Sequence, residues 1–215
     1  MNSFDKEYWD QNYSEPETMD CIGNAKEHTQ YLKSFFDLEL VDVSSIIDLG
    51  CGYGYLFQRM LKVFIPYKAC GIEPSKHAFD KCRSRKIKPV DSTELVMLNE
   101  SIGHWCKRKD TSKIRFDLGI CTSVFQYLPE EELLEIIPVL ARRIKYIYLT
   151  VPTDKELDRQ IDELKFHDTY AKRRTREFYR EILSENFTNI SSKIWESKFY
   201  FNEDTTLFTD LLYRS

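Results

Sequence analysis

Of everything in this 215-residue chain, the stretch Ile46-Ile47-Asp48-Leu49-Gly50-Cys51-Gly52-Tyr53-Gly54 most restricts the fold. Its apolar, β-branched start reads as a buried strand and its alternate glycines as a tight turn. The segment after it reads as a helix with one buried face, because Leu56, Phe57, Met60, Leu61 and Phe64 recur at three- and four-residue spacings. Glycine at alternate positions permits positive φ and lets a ligand approach the main chain with no Cβ in the way. A ligand is therefore expected to lie across that turn.

Short apolar runs alternate with helical periodicity through most of the chain, the pattern of a parallel sheet covered on both faces, so we expect a doubly wound α/β fold. Ser45 to Leu49 is the first expected strand, and Pro66 lies just past the helix that follows the glycines. Lys68 to Glu73 reads as the second strand, and Ser75 can cap a helix that buries Ala78, Phe79 and Cys82. Ile87 to Val90 reads as a short third strand. Over residues 92–113, Leu95, Leu98, Ile102 and Trp105 keep helical spacing and predict an inserted helix, in a connection longer than the usual crossover loop.

Phe116 to Thr122 and Tyr146 to Val151 read as the fourth and fifth strands. Pro129 followed by Glu130, Glu131 and Glu132 opens the helix between them, since carboxylates favour the positive end of the helix dipole; Pro138 should kink or restart it. After a polar stretch from Asp154 to Arg174, Thr175 offers an N-cap, Phe178, Ile182, Leu183 and Phe187 a buried stripe, and Asn186 a left-handed end. Ile190 to Trp195 and Leu207 to Tyr213, separated by the turn-like Asn202-Glu203-Asp204, suggest a C-terminal antiparallel hairpin. Tyr31, Leu32, Phe35 and Phe36 mark a helix ahead of the sheet. With seven glycines, seven prolines and no evident linker, we expect one domain over residues 1–215, with 1–40 as an N-terminal helical lid.

Glu73 stands at the end of the second strand, nineteen residues after Gly54, where a carboxylate can accept hydrogen bonds from two vicinal ribose hydroxyls. A dinucleotide fingerprint needs a third glycine at position 55, which is Tyr55. Asp48 at the end of the first strand would repel a pyrophosphate but favour an ammonium. The ligand that fits is a nucleoside joined to an amino acid.

On IIDLGCGYG, Gly71-Ile72-Glu73-Pro74 and Phe116-Asp117-Leu118-Gly119-Ile120-Cys121-Thr122-Ser123-Val124, the chain resembles the class I S-adenosylmethionine-dependent methyltransferases from about Tyr8 to Phe187. The resemblance implies a Rossmann-like sheet of seven mostly parallel strands and S-adenosylmethionine as cofactor. It implies that Gly50, Cys51, Gly52 and Gly54 admit the methionine portion, that Asp48 orients its amino group, and that Glu73, with Pro74 beside it, holds the ribose. Asp91 would lie near adenine, and Thr122 and Ser123 at the end of the fourth strand beside the sulfonium. Tyr8, Trp9 and Tyr13 would contact the cofactor from an N-terminal helix or simply pack as a lid.

Methyl transfer is an in-line displacement that needs alignment and exclusion of water, with no obligatory catalytic residue. A hydroxyl acceptor would gain from a base. Among His28, His77, His104 and His167, the last is the candidate, because it lies in the polar stretch after the fifth strand. Many relatives carry histidine where this chain has Tyr127, whose phenol remains a candidate to line the pocket. The Asp-Pro-Pro-Tyr type of motif found in many enzymes that methylate base amino groups is replaced by Cys121-Thr122-Ser123-Val124, which disfavours nucleic-acid amines. Arg142-Arg143 and Lys172-Arg173-Arg174 read as solvated clusters, or in the second case as a seat for an anionic group on the acceptor.

The formal net charge of −4 gives no reason to expect a nucleic-acid or membrane partner. No run approaches the eighteen or so apolar residues of a membrane span, and the N-terminus lacks a secretory layout, so a cytoplasmic location is expected. Six cysteines without metal-ligand spacing imply reduced thiols packed in the core and no metal. The expected function is O- or N-methylation of a small molecule. A protein methyltransferase and a non-catalytic S-adenosylmethionine-binding subunit are the alternatives.

Overall fold

The first βα unit forms where the glycine pattern puts it. In the computed structural model, which describes residues 4–12, 19, 21–85, 87, 89, 92–110 and 112–208, β1 (Ser45–Leu49) is wholly buried and runs through the glycine turn into α3 (Tyr55–Phe64). Helices α1 (Lys6–Asn12) and α2 (Ala25–Leu38) precede it, and β2 (Lys68–Ile72) and α4 (Lys76–Ser84) follow. Ser75 caps α4 by accepting the Ala78 N–H, and Ala78, Phe79 and Cys82 are buried as the spacing requires. Then come β3 (Glu94–Leu98), α5 (Ile102–Lys107), β4 (Phe116–Thr122), a single 3₁₀ turn (Phe125–Tyr127), α6 (Glu130–Arg143) and β5 (Ile144–Thr150). The chain finishes with α7 (Asp154–Leu164), α8 (Arg176–Ser184), β6 (Phe187–Asn189) and β7 (Ile194–Ser197).

The seven strands lie in the order β3-β2-β1-β4-β5-β7-β6. β1 pairs in parallel with β2, and β2 with β3; β7 is antiparallel to both β5 and β6. Along the sheet the order reverses between β1 and β4.

The chain divides into two compact units. The first comprises residues 1–105 with 116–118, and the second 106–115 with 119–215. In the first, Asp117 at the start of β4 receives the Ser44 and Ser45 hydroxyls on one carboxylate oxygen, each at 2.8 Å, and the Ser44 N–H at 3.1 Å. The aspartate of the Phe-Asp landmark is thereby a strand tie. In the second, the Glu196 carboxylate on β7 is fully buried and accepts the Thr206 hydroxyl at 2.9 Å.

Four expectations need correction. A strand is found at Glu94–Leu98, so the helix expected over 92–113 shrinks to α5; of the strand expected at Ile87 to Val90, Ile87 and Pro89 lie in no strand and residues 88 and 90 lie outside the described residues. Helix α6 runs through Pro138 without a restart. Asn186 does not adopt the left-handed conformation, because the chain passes directly into β6 and its carbonyl accepts the Lys198 N–H. The antiparallel hairpin is β6–β7, closed by residues 190–193, whereas Leu207 to Tyr213 lies mostly outside the described residues. The polar stretch after β5 also holds a helix, α7, with only Leu157 buried. Among the described residues no helix is long and apolar enough to cross a membrane.

Candidate functional site

Gly50, Gly52 and Gly54 all have positive φ, at 88°, 52° and 77°. The Gly50 and Cys51 N–H groups both donate to the Ile72 carbonyl, at 2.8 and 2.9 Å, which ties the turn to the end of β2. Gly54 is the left-handed N-cap of α3, and a Cβ there would lie 2.5 Å from Cys82 Sγ and 2.9 Å from Ile87 Cδ1. At Gly52 the missing side chain admits the Trp9 ring, which a Cβ would meet at 3.4 Å.

Glu73 turns toward this loop. Its Oε2 accepts the Gly52 N–H and its Oε1 the Ser75 N–H, both at 2.8 Å, with 5% of the residue exposed. Asp48, at 3% exposed, lies beneath the same turn on β1. Burial pushes the Asp48 carboxyl up to about 8, with the Glu73 charge adding to it. Burial also raises Glu73, to about 7, against the pull of its two backbone donors. Two carboxyls poised near neutrality, beside bare backbone, suit an ammonium and ribose hydroxyls. The Cys51 thiol is buried and pushed well up, first by its hydrogen bond with Cys82 and then by burial.

The surroundings bring in residues the sequence did not single out. Asn99, just after β3, donates to the carbonyls of Glu73 at 2.8 Å and Pro74 at 3.1 Å, clamping the turn that presents the carboxylate. Ser75 accepts the Trp9 indole N–H at 2.9 Å and donates to the Phe4 carbonyl at 2.6 Å. Trp9 and Tyr8 are buried, and the Trp9 ring lies 4.7 Å from that of Tyr53 at a 34° tilt. The N-terminal aromatics thus pack on the glycine turn. Tyr13 and Asp91 lie outside the described residues.

In the second unit, Thr122 ends β4 and Ser123 is left-handed at φ 54°, its N–H donating to the Thr150 carbonyl at 2.8 Å. The Tyr127 hydroxyl donates to Asp168 Oδ2 at 2.5 Å, while Asp168 Oδ1 accepts the Tyr170 N–H at 3.0 Å. His167 is exposed, so its neighbour in sequence is the residue that meets the phenol. The basic cluster is largely spent within the chain: Arg173 pairs with Asp158 at 2.5 Å, and Arg174 donates to the Phe125 and Leu128 carbonyls at 3.2 and 2.8 Å. Among the described residues no group of three or more His, Cys, Asp or Glu side chains could hold a metal.

Residues 46–146 match a family described as a methyltransferase domain. No curated protein matches the chain in sequence. Its fold is similar to the plantazolicin methyltransferase BamL in complex with a triazolic desmethylPZN analog and SAH, at 16% identity over 94% of this chain and 77% of that one, with a TM-score of 0.66. It is also similar to magnesium protoporphyrin IX methyltransferase ChlM from Synechocystis PCC 6803 with bound SAH, at 17% identity over 81% of each chain and a TM-score of 0.55. The small RNA methyltransferase HEN1 matches at 16% identity and a TM-score of 0.58; 83% of this chain is covered but only 26% of that one. The match over residues 46–146, with the reversed sheet order and Glu73 bonded to the glycine turn, supports a class I S-adenosylmethionine-dependent methyltransferase domain.

Proposed function

We propose that the chain methylates an oxygen or nitrogen of a small molecule, with S-adenosylmethionine held at the glycine turn of the first unit. The carrying observation is the Glu73 carboxylate joined to the Gly52 N–H, with Asp48 buried under the same turn. In this reading the glycines admit the methionine portion to the backbone, Glu73 accepts from the ribose hydroxyls and Asp48 attracts the amino group. Bound S-adenosylmethionine supplies an electrophilic methyl group on a sulfonium. The protein aligns the two reactants and excludes water. A small acceptor is favoured because plantazolicin and magnesium protoporphyrin methyltransferases are among the similar structures, and because Arg173 and Arg174 are engaged within the chain rather than forming a phosphate-binding face.

Calorimetry with S-adenosylmethionine, S-adenosylhomocysteine and NAD tests the cofactor half. S-adenosylmethionine is expected to bind and NAD not; NAD binding alone would overturn the assignment. Glu73→Ala should weaken S-adenosylmethionine by about 1–3 kcal/mol, the scale for removing one partner of a charged hydrogen bond. Unchanged affinity would remove Glu73 from the site. Transfer of labelled methyl groups into a metabolite extract tests the acceptor half, and label found only in protein or RNA would sink the small-molecule reading.

A further inference from the structure

The first unit gathers exposed apolar side chains at the end opposite its glycine turn. β1 and β2 start at this end and finish at the turn and at Glu73, and α2 and α3 close onto it, where the rings of Phe36 and Phe64 meet edge to face at 6.4 Å. Leu38 and Leu40 stand at the end of α2, and Val63, Ile65 and Tyr67 at the end of α3, all between 38% and 89% exposed. The Tyr67 N–H donates to the Ser44 carbonyl at 2.9 Å, which joins the two segments into one surface. Large apolar residues exposed singly are ordinary, but five at one end of a unit form the kind of patch that marks a contact.

Two of the five are held there against their backbone preference. Leu40 has φ 56° and Ile65 φ 48°, the left-handed region where glycine or asparagine usually follows a helix and where a β-branched residue is rare. An apolar residue beside such a cap usually packs back onto its own helix. Here Leu40 is 89% exposed and Ile65 53%, so neither offsets its strain by burial within the chain. The margin of the patch carries both signs of charge. Glu39 and Asp42 flank Leu40 on the α2 side, and Lys62 stands on the last turn of α3. Asp37 is taken up by Lys33 on its own helix, whereas Asp42 and Lys62 are exposed.

We propose that this end of the first unit is the contact face of a homodimer, with a second copy of the chain as its occupant, related by a two-fold axis. Under such an axis one patch serves both copies. The acidic margin on the α2 side then meets the basic margin on the α3 side, so that Asp42 of each copy faces Lys62 of the other. Leu40 and Ile65 are the apolar anchors. The five side chains together expose several hundred square ångströms, the scale of the ~800 Å² that each partner buries in a standard interface. An anionic lipid surface attracts clustered Lys and Arg, and Glu39 and Asp42 oppose it. Because the patch and the glycine turn stand at opposite ends of β1, the contact leaves the turn open in both copies.

Sedimentation velocity on the full chain, from about 1 to 100 μM, reads the association directly. A dimer that dissociates on dilution is expected. Leu40→Asn with Ile65→Asn should raise its dissociation constant about tenfold or more. Asparagine suits the left-handed conformation, so the melting temperature, measured where the parent chain is also monomeric, should hold or rise. A fall in melting temperature with unchanged association would assign both residues to the fold and overturn the proposal. Asp42→Lys and Lys62→Asp should each weaken the dimer, and their combination should restore it, because the pair crosses the two-fold; weakening without rescue would overturn the two-fold arrangement. A chain that stays monomeric throughout the range, or one that floats with vesicles of phosphatidylcholine and phosphatidylserine until Leu40 and Ile65 are replaced, would overturn the proposal as well.

Discussion

Asp48 and Glu73 make the region of the glycine turn sensitive to pH, and the signs can be worked out. Their unfolded values are about 4, while burial lifts them to about 8 and about 7 in the folded chain. The folded state therefore holds more protons between these limits, so stability conferred by the protonated carboxyls is complete below pH 4 and is lost as pH rises through 7 and 8. The melting temperature of the ligand-free protein should fall between pH 5 and pH 8.5, and Asp48→Asn should flatten that slope. A cation works the other way. S-adenosylmethionine should bind more tightly as pH rises through the same window, by up to about tenfold per unit for each proton released, with a calorimetric heat that depends on the buffer. A flat affinity and a buffer-independent heat would show that neither carboxyl ionises on binding. These two acids were legible in the sequence because strand ends and glycine spacing obey local rules. Asp168 was not, since the Tyr127–Asp168 bond joins positions that only the folded chain brings together.

At the level of elements, Ser75 has two tasks: it caps α4 and it anchors Trp9. Ser75→Ala should lower stability to urea by about 1 kcal/mol, the usual loss of a helix cap, and should also expose Trp9, shifting its fluorescence to the red. An unshifted spectrum would show that α1 holds its place without this bond. Strands β1, β2, β4 and β5 could be read from the sequence because buried parallel strands are continuous apolar runs. β3 could not. It is an edge strand, its residues are only exposed or partly buried, and the spacing of Leu95, Leu98, Ile102 and Trp105 happens to fit a helix. Helix α7 escaped for a related reason, since burying Leu157 alone leaves almost no apolar stripe to detect. Of the expected terminal hairpin, the end of the run Ile190 to Trp195 enters β7, whose partner is β6, while Leu207 to Tyr213 lies mostly outside the described residues.

For the molecule as a whole, Asp48, the glycine turn and Glu73 lie in the first unit and the Tyr127–Asp168 pair in the second, so substitutions in the two can be compared separately. The six cysteines are distributed over both units, all of them free thiols and none more than 9% exposed. A maleimide added to the native protein should find almost nothing to alkylate until a unit opens. Counting adducts by mass spectrometry over time then gives a clock for that opening, and Cys51 and Cys82, which lie against the glycine turn, should be slowed further by bound S-adenosylmethionine relative to Cys121.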